Sequence, residues 1–216
     1  MAKRCKGLNS KCFLITYLTI VGFLLVLWMN RLPLMSEEQR DIPVDMQAYI
    51  ASPARPLPAF SLNTGNKLAL TNTWFDGKWS LVYFSHSHCM PDCEPALQTM
   101  KNIQSNFANA DFQFLVIGIG IEHETVDDLL DFLRGKQLNF TAATATQDVI
   151  DELASSFIAL FLQTDYADGR YQIEQEHHLF VVDPKGRKYA TFKPPFNQAR
   201  IQAEFLKLRH FYAKTE

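Results

Sequence analysis

Two cysteines, Cys89 and Cys93, are the residues of this chain best suited to chemistry; they lie in the run Tyr83-Phe84-Ser85-His86-Ser87-His88-Cys89-Met90-Pro91-Asp92-Cys93-Glu94-Pro95. Four positions apart at the start of a helix, two side chains sit one above the other on the same face. Such a pair can close a disulfide, which requires a short separation. As thiolates the two sulfurs can instead grip one soft metal ion. A helix N-terminus favours the thiolate by ~0.3–1 kcal/mol. His88, beside Cys89, adds to that effect when protonated. A purely structural staple gains most by closing a long loop. This ring closes only a few residues, which favours redox or metal work over bracing.

The pattern around the motif supplies the elements that must position it. Trp79 to Phe84 reads as a buried strand leading into the motif. Leu97, Met100, Ile103 and Phe107 recur at helical spacing, which predicts a helix from about Pro91 to Phe107. Ala59 to Leu62 and Lys67 to Leu70 predict two short strands around the turn Asn63-Thr64-Gly65-Asn66. Phe112 to Ile119 is a continuous apolar run, as in a central strand covered on both faces. Thr125 with Asp128 opens the next helix, with Val126, Leu129, Leu130 and Leu133 inward. Leu138 to Ala143 predicts a further strand, and Ile150, Leu153, Phe157 and Leu160 a third helix.

His177 to Asp183 and Arg187 to Lys193 form a hairpin around Asp183-Pro184-Lys185-Gly186, whose Pro and Gly suit a tight turn. A closing helix carries Ile201, Phe205, Leu208 and Tyr212 and is capped by Asn197. Strand, helix, strand, helix, hairpin, helix is one α/β domain. The order matches a thioredoxin-like domain, with a central mixed sheet flanked by helices and the cysteine motif where the first buried strand meets its helix.

The chain has 216 residues, 47% hydrophobic and 20% charged, with net charge −2. That composition is globular, and nothing in it is basic enough to call for nucleic acid. Phe13 to Met29 is uncharged and almost wholly apolar, at the short end of what spans a bilayer. Lys3, Arg4, Lys6 and Lys11 precede it, so the positive-inside rule keeps the N-terminus in the cytoplasm. No small-x-small cleavage site follows closely, which favours an uncleaved anchor over a signal peptide. The expected organisation is a basic cytoplasmic segment over 1–12, a transmembrane helix over 13–32, a proline-containing linker over 33–57 and the thioredoxin-like domain over 58–216. Cys5 and Cys12 then face a reducing compartment, while Cys89 and Cys93 face an oxidising one where a disulfide persists.

From Tyr83-Phe84 through Cys89 and Cys93 to Met100, the sequence resembles the Sco/SenC family. The likeness continues at Asp183-Pro184-Lys185-Gly186, after an acid-containing stretch from Tyr171. The resemblance covers roughly Pro58 to Phe192 and the anchor topology. It implies a thioredoxin-like copper chaperone that assists maturation of the copper centre of cytochrome c oxidase, by delivering copper or by reducing the receiving cysteines. It also implies one copper ion, Cu(I) or Cu(II), held by Cys89, Cys93 and a distant histidine. Two thiolates and an imidazole suit Cu(I) on chemical grounds too.

The family's histidine follows an acidic residue about nine positions before the proline of the turn. Here that position is Gln175, with His177 and His178 just beyond. Glu176-His177 reproduces the acid–histidine pair, and on a strand His177 shares the face of Gln175. His177 is therefore the expected third ligand and His178 the alternative. From His177, reaching the sulfurs requires a shift of about 7 Å along the strand, or a bulge. Met90 and Pro91 alter the usual proline placement, Glu94 precedes Pro95, and Gly120 to Thr125 departs from the family's acidic segment. The chain is a divergent relative. Met90 is an auxiliary soft donor or a surface-lining side chain; His86, His123 and His210 are expected to face solvent, with His86 at most a weak copper ligand.

The runner-up reading is a metal-free thiol-disulfide oxidoreductase acting on exported proteins through Cys89, followed by a non-catalytic tethered module and, last, a peroxidase. The expected partners are the copper-bearing subunit of cytochrome c oxidase or another exported thiol protein, and the bilayer through 13–32. The absence of an Arg/Ser-rich transit segment favours a bacterial cytoplasmic membrane, with the domain on its outer side.

Overall fold

The computed structural model describes residues 10–31, 42–65, 68–107 and 111–216. The chain divides into two units, Met1–Gln39 and Arg40–Glu216. The first holds one helix, α1 (Ser10–Arg31), over the stretch expected to span the membrane. Its side chains are described over residues 14–28 only. Among the described residues no helix is long and apolar enough to cross a membrane. Cys5 and the basic residues before position 10 lie outside the described residues.

The second unit is an eight-stranded mixed sheet in the order β1-β10-β9-β4-β5-β6-β2-β3. Its centre is β4 (Trp79–Ser85), β5 (Phe112–Gly118) and β6 (Thr141–Thr144), all parallel. Every residue of β4 is buried, which is why it reads as an unbroken apolar run. Antiparallel to this centre run β9 (Leu179–Val182) on one side and β2 (Ser61–Thr64) on the other, and each pairs antiparallel in turn with an outer strand, β10 (Arg187–Phe192) and β3 (Ala69–Thr71).

Alternation along the strands divides the core between the two faces. Leu81, Tyr83, Phe114 and Val116 pack beneath α2 (Glu94–Asn106), α3 (Val126–Gly135) and α5 (Gln198–Thr215). Val82, Phe84, Leu115 and Ile117 pack against α4 (Gln147–Phe157) on the other face. Thr125 caps α3 in a full capping box: its side chain accepts from Asp128 N, and the Asp128 carboxylate accepts from Thr125 N. Asn197 caps α5 by accepting from Arg200 N. In the turn after β9, fully buried Asp183 accepts from the backbone N–H groups of Lys185 and Arg187 and takes the Arg187 guanidinium at 2.8 and 2.6 Å.

Three expectations are corrected. First, residues 42–57 are not a free linker. Ile42, Met46, Tyr49 and Ile50 join the core, and β1 (Ile50–Pro56) pairs with β10 at the sheet edge. Pro53 and Pro56, which suggested a tether, are tolerated because an edge strand has free N–H positions. Second, α2 begins at Glu94, not near Pro91, with Cys93 as its N-cap. Third, β7 (Phe161–Asp165) and β8 (Tyr171–Gln175) form a separate two-stranded sheet that the periodicity did not disclose.

Candidate functional site

Strand β4 delivers the site. Tyr83 and Ser85 project to one face, and the chain leaves the sheet at His86. The loop beyond is held by Glu124, whose carboxylate accepts from Ser87 N at 2.7 Å. Cys89 and Cys93 follow on the turn ahead of α2, joined as a disulfide with Cα atoms 5.5 Å apart. Cys93 N donates to Cys89 O at 3.2 Å, and Leu97 N to Cys93 O at 3.0 Å, so the pair is tied directly to the first helical turn. Ser85 Oγ donates to Cys89 Sγ at 3.3 Å, and Met90 Sδ lies 3.7 Å from Cys93 Sγ. The sequence placed both cysteines on one helical face; the structure brings them together instead on the turn that enters the helix.

Cys89 lines a cleft of about 650 Å³ that also takes in His86, His88, Met90, Asp92, Gln175 and His177, with the β8 side of the hairpin as its far wall. Cys93 is fully buried behind it. His177 and Gln175 do share one side of the chain, because both reach Tyr83. The Tyr83 hydroxyl pairs with His177 Nδ1 at 2.6 Å. Gln175 Nε2 donates to Tyr83 Oη at 3.0 Å and to Phe84 O at 3.1 Å. No slide of the strand is involved. β8 stops at Gln175 and the chain folds over at once, with His178 N donating to Glu176 O.

Burial holds His177 below its ordinary imidazole pKa, with Asp92 opposing. It is therefore neutral at pH 7 and has a lone pair to offer. His177 Nδ1 is met both by Tyr83 Oη and, at 3.0 Å, by the Gln175 amide nitrogen; for Nε2 to bind a metal, the ring proton must sit on Nδ1 and be donated to Tyr83. His178, the alternative ligand, faces away. It pairs with Glu176 at 3.4 Å and lines a different cavity with Tyr49, Phe157 and Lys188.

Of the remaining histidines, His86 departs from expectation, while His123 and His210 are exposed as expected. His86 is not solvent-facing: it is 5% exposed, and burial, followed by the charges of His88 and His177, lowers its pKa to about 4. His88 is exposed, its Nδ1 within 2.9 Å of both Ser87 Oγ and Tyr171 Oη. His123 stacks on Tyr171 at 4.1 Å and donates to or accepts from Asp165 at 2.7 Å. Sequence reasoning passed over Tyr83, Ser85 and Glu124. The signal for Tyr83 and Ser85 was strand parity: positions 83 and 85 share the side from which the motif emerges.

The donor set fits a soft metal: two adjacent sulfurs, a third in Met90, and neutral imidazole at the same cleft. It equally fits thiol-disulfide exchange, since one sulfur of the bonded pair meets the cleft and the other lies behind it.

The family described as SCO1/SenC has a model that matches residues 46–209. Among curated proteins, "Protein SCO1 homolog, mitochondrial" of Homo sapiens is 23% identical over 155 residues, covering 69% of this chain and 51% of that protein. "Protein SCO1 homolog 1, mitochondrial" of Arabidopsis thaliana is 22% identical over 130 residues, covering 58% of this chain and 39% of that protein. The chain thus spans about half the length of the curated relatives it matches. The same fold is seen in Arabidopsis thaliana ScoI with copper bound, with TM-score 0.63 and 18% identity, over 71% of this chain and 98% of that one. Yeast Sco1 with copper bound gives TM-score 0.64 and 16% identity, over 75% of this chain and 90% of that one.

Proposed function

This chain belongs to the SCO1/SenC family, and on that premise we propose that it binds one copper ion and assists maturation of the copper centre of cytochrome c oxidase. The observation that carries the reading is the shared cleft: Cys89, bonded to Cys93, and His177 line the same cavity. Relatives solved with copper bound support copper as the ion.

In this reading Cys89, Cys93 and His177 are the ligands. The disulfide must first accept two electrons and two protons from a thiol reductant, giving two thiols. Binding of Cu(I) then releases both protons as the thiolates coordinate. Copper supplies the cargo; the protein's part is to hold two sulfurs on a helix entry and to keep His177 neutral and oriented through Tyr83. The partner is the copper-bearing subunit of the oxidase or another exported thiol protein.

We assign the apolar helix α1 to the bilayer, as a single-pass anchor of a bacterial cytoplasmic membrane with the domain on the outer side. What supports this is the apolar run with Lys3, Arg4, Lys6 and Lys11 before it. A helix apolar on every side needs a non-aqueous surrounding.

The test is copper titration of the reduced full chain in detergent. One copper per chain is expected, lost in Cys89→Ser and weakened in His177→Ala. One-to-one binding that survives Cys89→Ser removes the pair from the site. A second reading, metal-free thiol-disulfide exchange, draws on the closed disulfide with Cys89 at the cleft. There the reduced Cys89 thiolate attacks a partner disulfide, and Cys93 resolves the mixed disulfide, leaving the partner reduced and the pair oxidised. Copper-independent trapping of a partner by Cys93→Ser favours it.

A further inference from the structure

His86 has no evident structural reason to be where it is. It stands at the end of β4, is 5% exposed, and forms part of the wall of the cleft that Cys89 and His177 share. Its Nδ1 is buried without a hydrogen-bond partner. A buried imidazole normally has both ring nitrogens engaged, one as donor and one as acceptor. An aromatic hydrocarbon of similar size would fill this space without that cost. The other histidines of the cleft are accounted for. Nδ1 of His177 is engaged by Tyr83, and His88 Nδ1 by Ser87 and Tyr171. In the same cleft, the side-chain oxygen of Gln175 is likewise buried and unpartnered, although the amide nitrogen is engaged by Tyr83, Phe84 and His177. Where a histidine is most readily expected at position 175, this chain has an amide that spends its donors on Tyr83 and Phe84. The cleft thus holds a spare imidazole and a ligand position filled by a weak donor.

We propose that His86 supplies a second imidazole to the metal held by Cys89 and Cys93, so that this site takes copper in a two-sulfur, two-nitrogen set. The proposal rests on the copper-binding reading above. A second neutral nitrogen favours Cu(II) over what a lone imidazole allows, because imidazole suits Cu(II) better than thiolate does.

The experiment uses the reduced full chain in detergent, loaded with Cu(II) and examined by pulsed electron paramagnetic resonance, which counts coordinated imidazoles. Wild type is expected to show two, His86→Phe one, and His177→Ala one, with His88→Ala still at two. Cu(II) affinity should drop at least about 10-fold in His86→Phe. A single imidazole in wild type overturns the proposal, as does an unchanged count in His86→Phe or a loss in His88→Ala. Should His86→Phe not fold by circular dichroism, His86→Gln and the wild-type count decide. Wild type that binds no copper at all defeats the preceding reading as well, whereas copper bound through one imidazole defeats this inference alone.

Discussion

Replacing Tyr83 with phenylalanine removes one oxygen from the wall behind His177 and keeps the ring that fills the core. That oxygen pairs with His177 Nδ1 at 2.6 Å and accepts from Gln175 Nε2 at 3.0 Å. Two hydrogen bonds at a net ~1 kcal/mol each give a stability loss of about 1–2 kcal/mol. The upper end is not reached by Gln175, which keeps its bond to Phe84 O. The effect on metal is separate. A histidine that loses the partner fixing its tautomer and orientation binds metal ~10–100-fold less tightly. That corresponds to about 1.4–2.8 kcal/mol. Competition titration against a copper chelator reads the second quantity, and urea unfolding of the reduced, metal-free chain reads the first. Copper affinity equal to wild type, in a variant destabilised as expected, would show that Tyr83 serves only the core and that His177 is not the ligand it orients.

His178→Ala is expected to leave copper affinity within about twofold of wild type, since its ring lies in another cavity paired with Glu176; a loss as large as that of His177→Ala reverses the ligand assignment. Lys188 is buried, with Nζ donating to Phe157 O and lying over the Phe180 ring. Burial lowers its pKa from the ordinary 10.5 to about 8. Between those values the unfolded chain binds a proton that the folded chain lacks, so stability rises with pH from about 8 to about 10.5. Lys188→Met should abolish that rise in denaturant melts across this range, and identical slopes for variant and wild type would count against it.

Much of the fold was legible because the central elements carry one clear period each. The Trp79 to Phe84 and Phe112 to Ile119 runs became β4 and β5, and Thr125 with Asp128 formed the expected cap. The hairpin turn at Asp183 and the Asn197 cap also formed, since turn and cap chemistry is local. What escaped depended on tertiary context. Prolines in residues 53–56 read as a tether, yet an edge strand accommodates them against β10. The β7–β8 hairpin is short and largely exposed, so its alternation is weak. His86 sits between two serines, and nothing in such a polar neighbourhood announces a buried ring. The choice between His177 and His178 was open in sequence because adjacent residues point to opposite sides, and only the placement of Tyr83 distinguishes them.

The two-stranded sheet that carries the far wall is bonded only to itself among the ladders of this domain. Its length can change without disturbing any strand of the eight-stranded sheet. Inserting two residues before Gln175 would return every later side chain to its former side, whereas inserting one would turn them all over. Within β8, donors can therefore migrate in even steps and keep their side, whereas His177 reaches Tyr83 from the turn that follows Gln175.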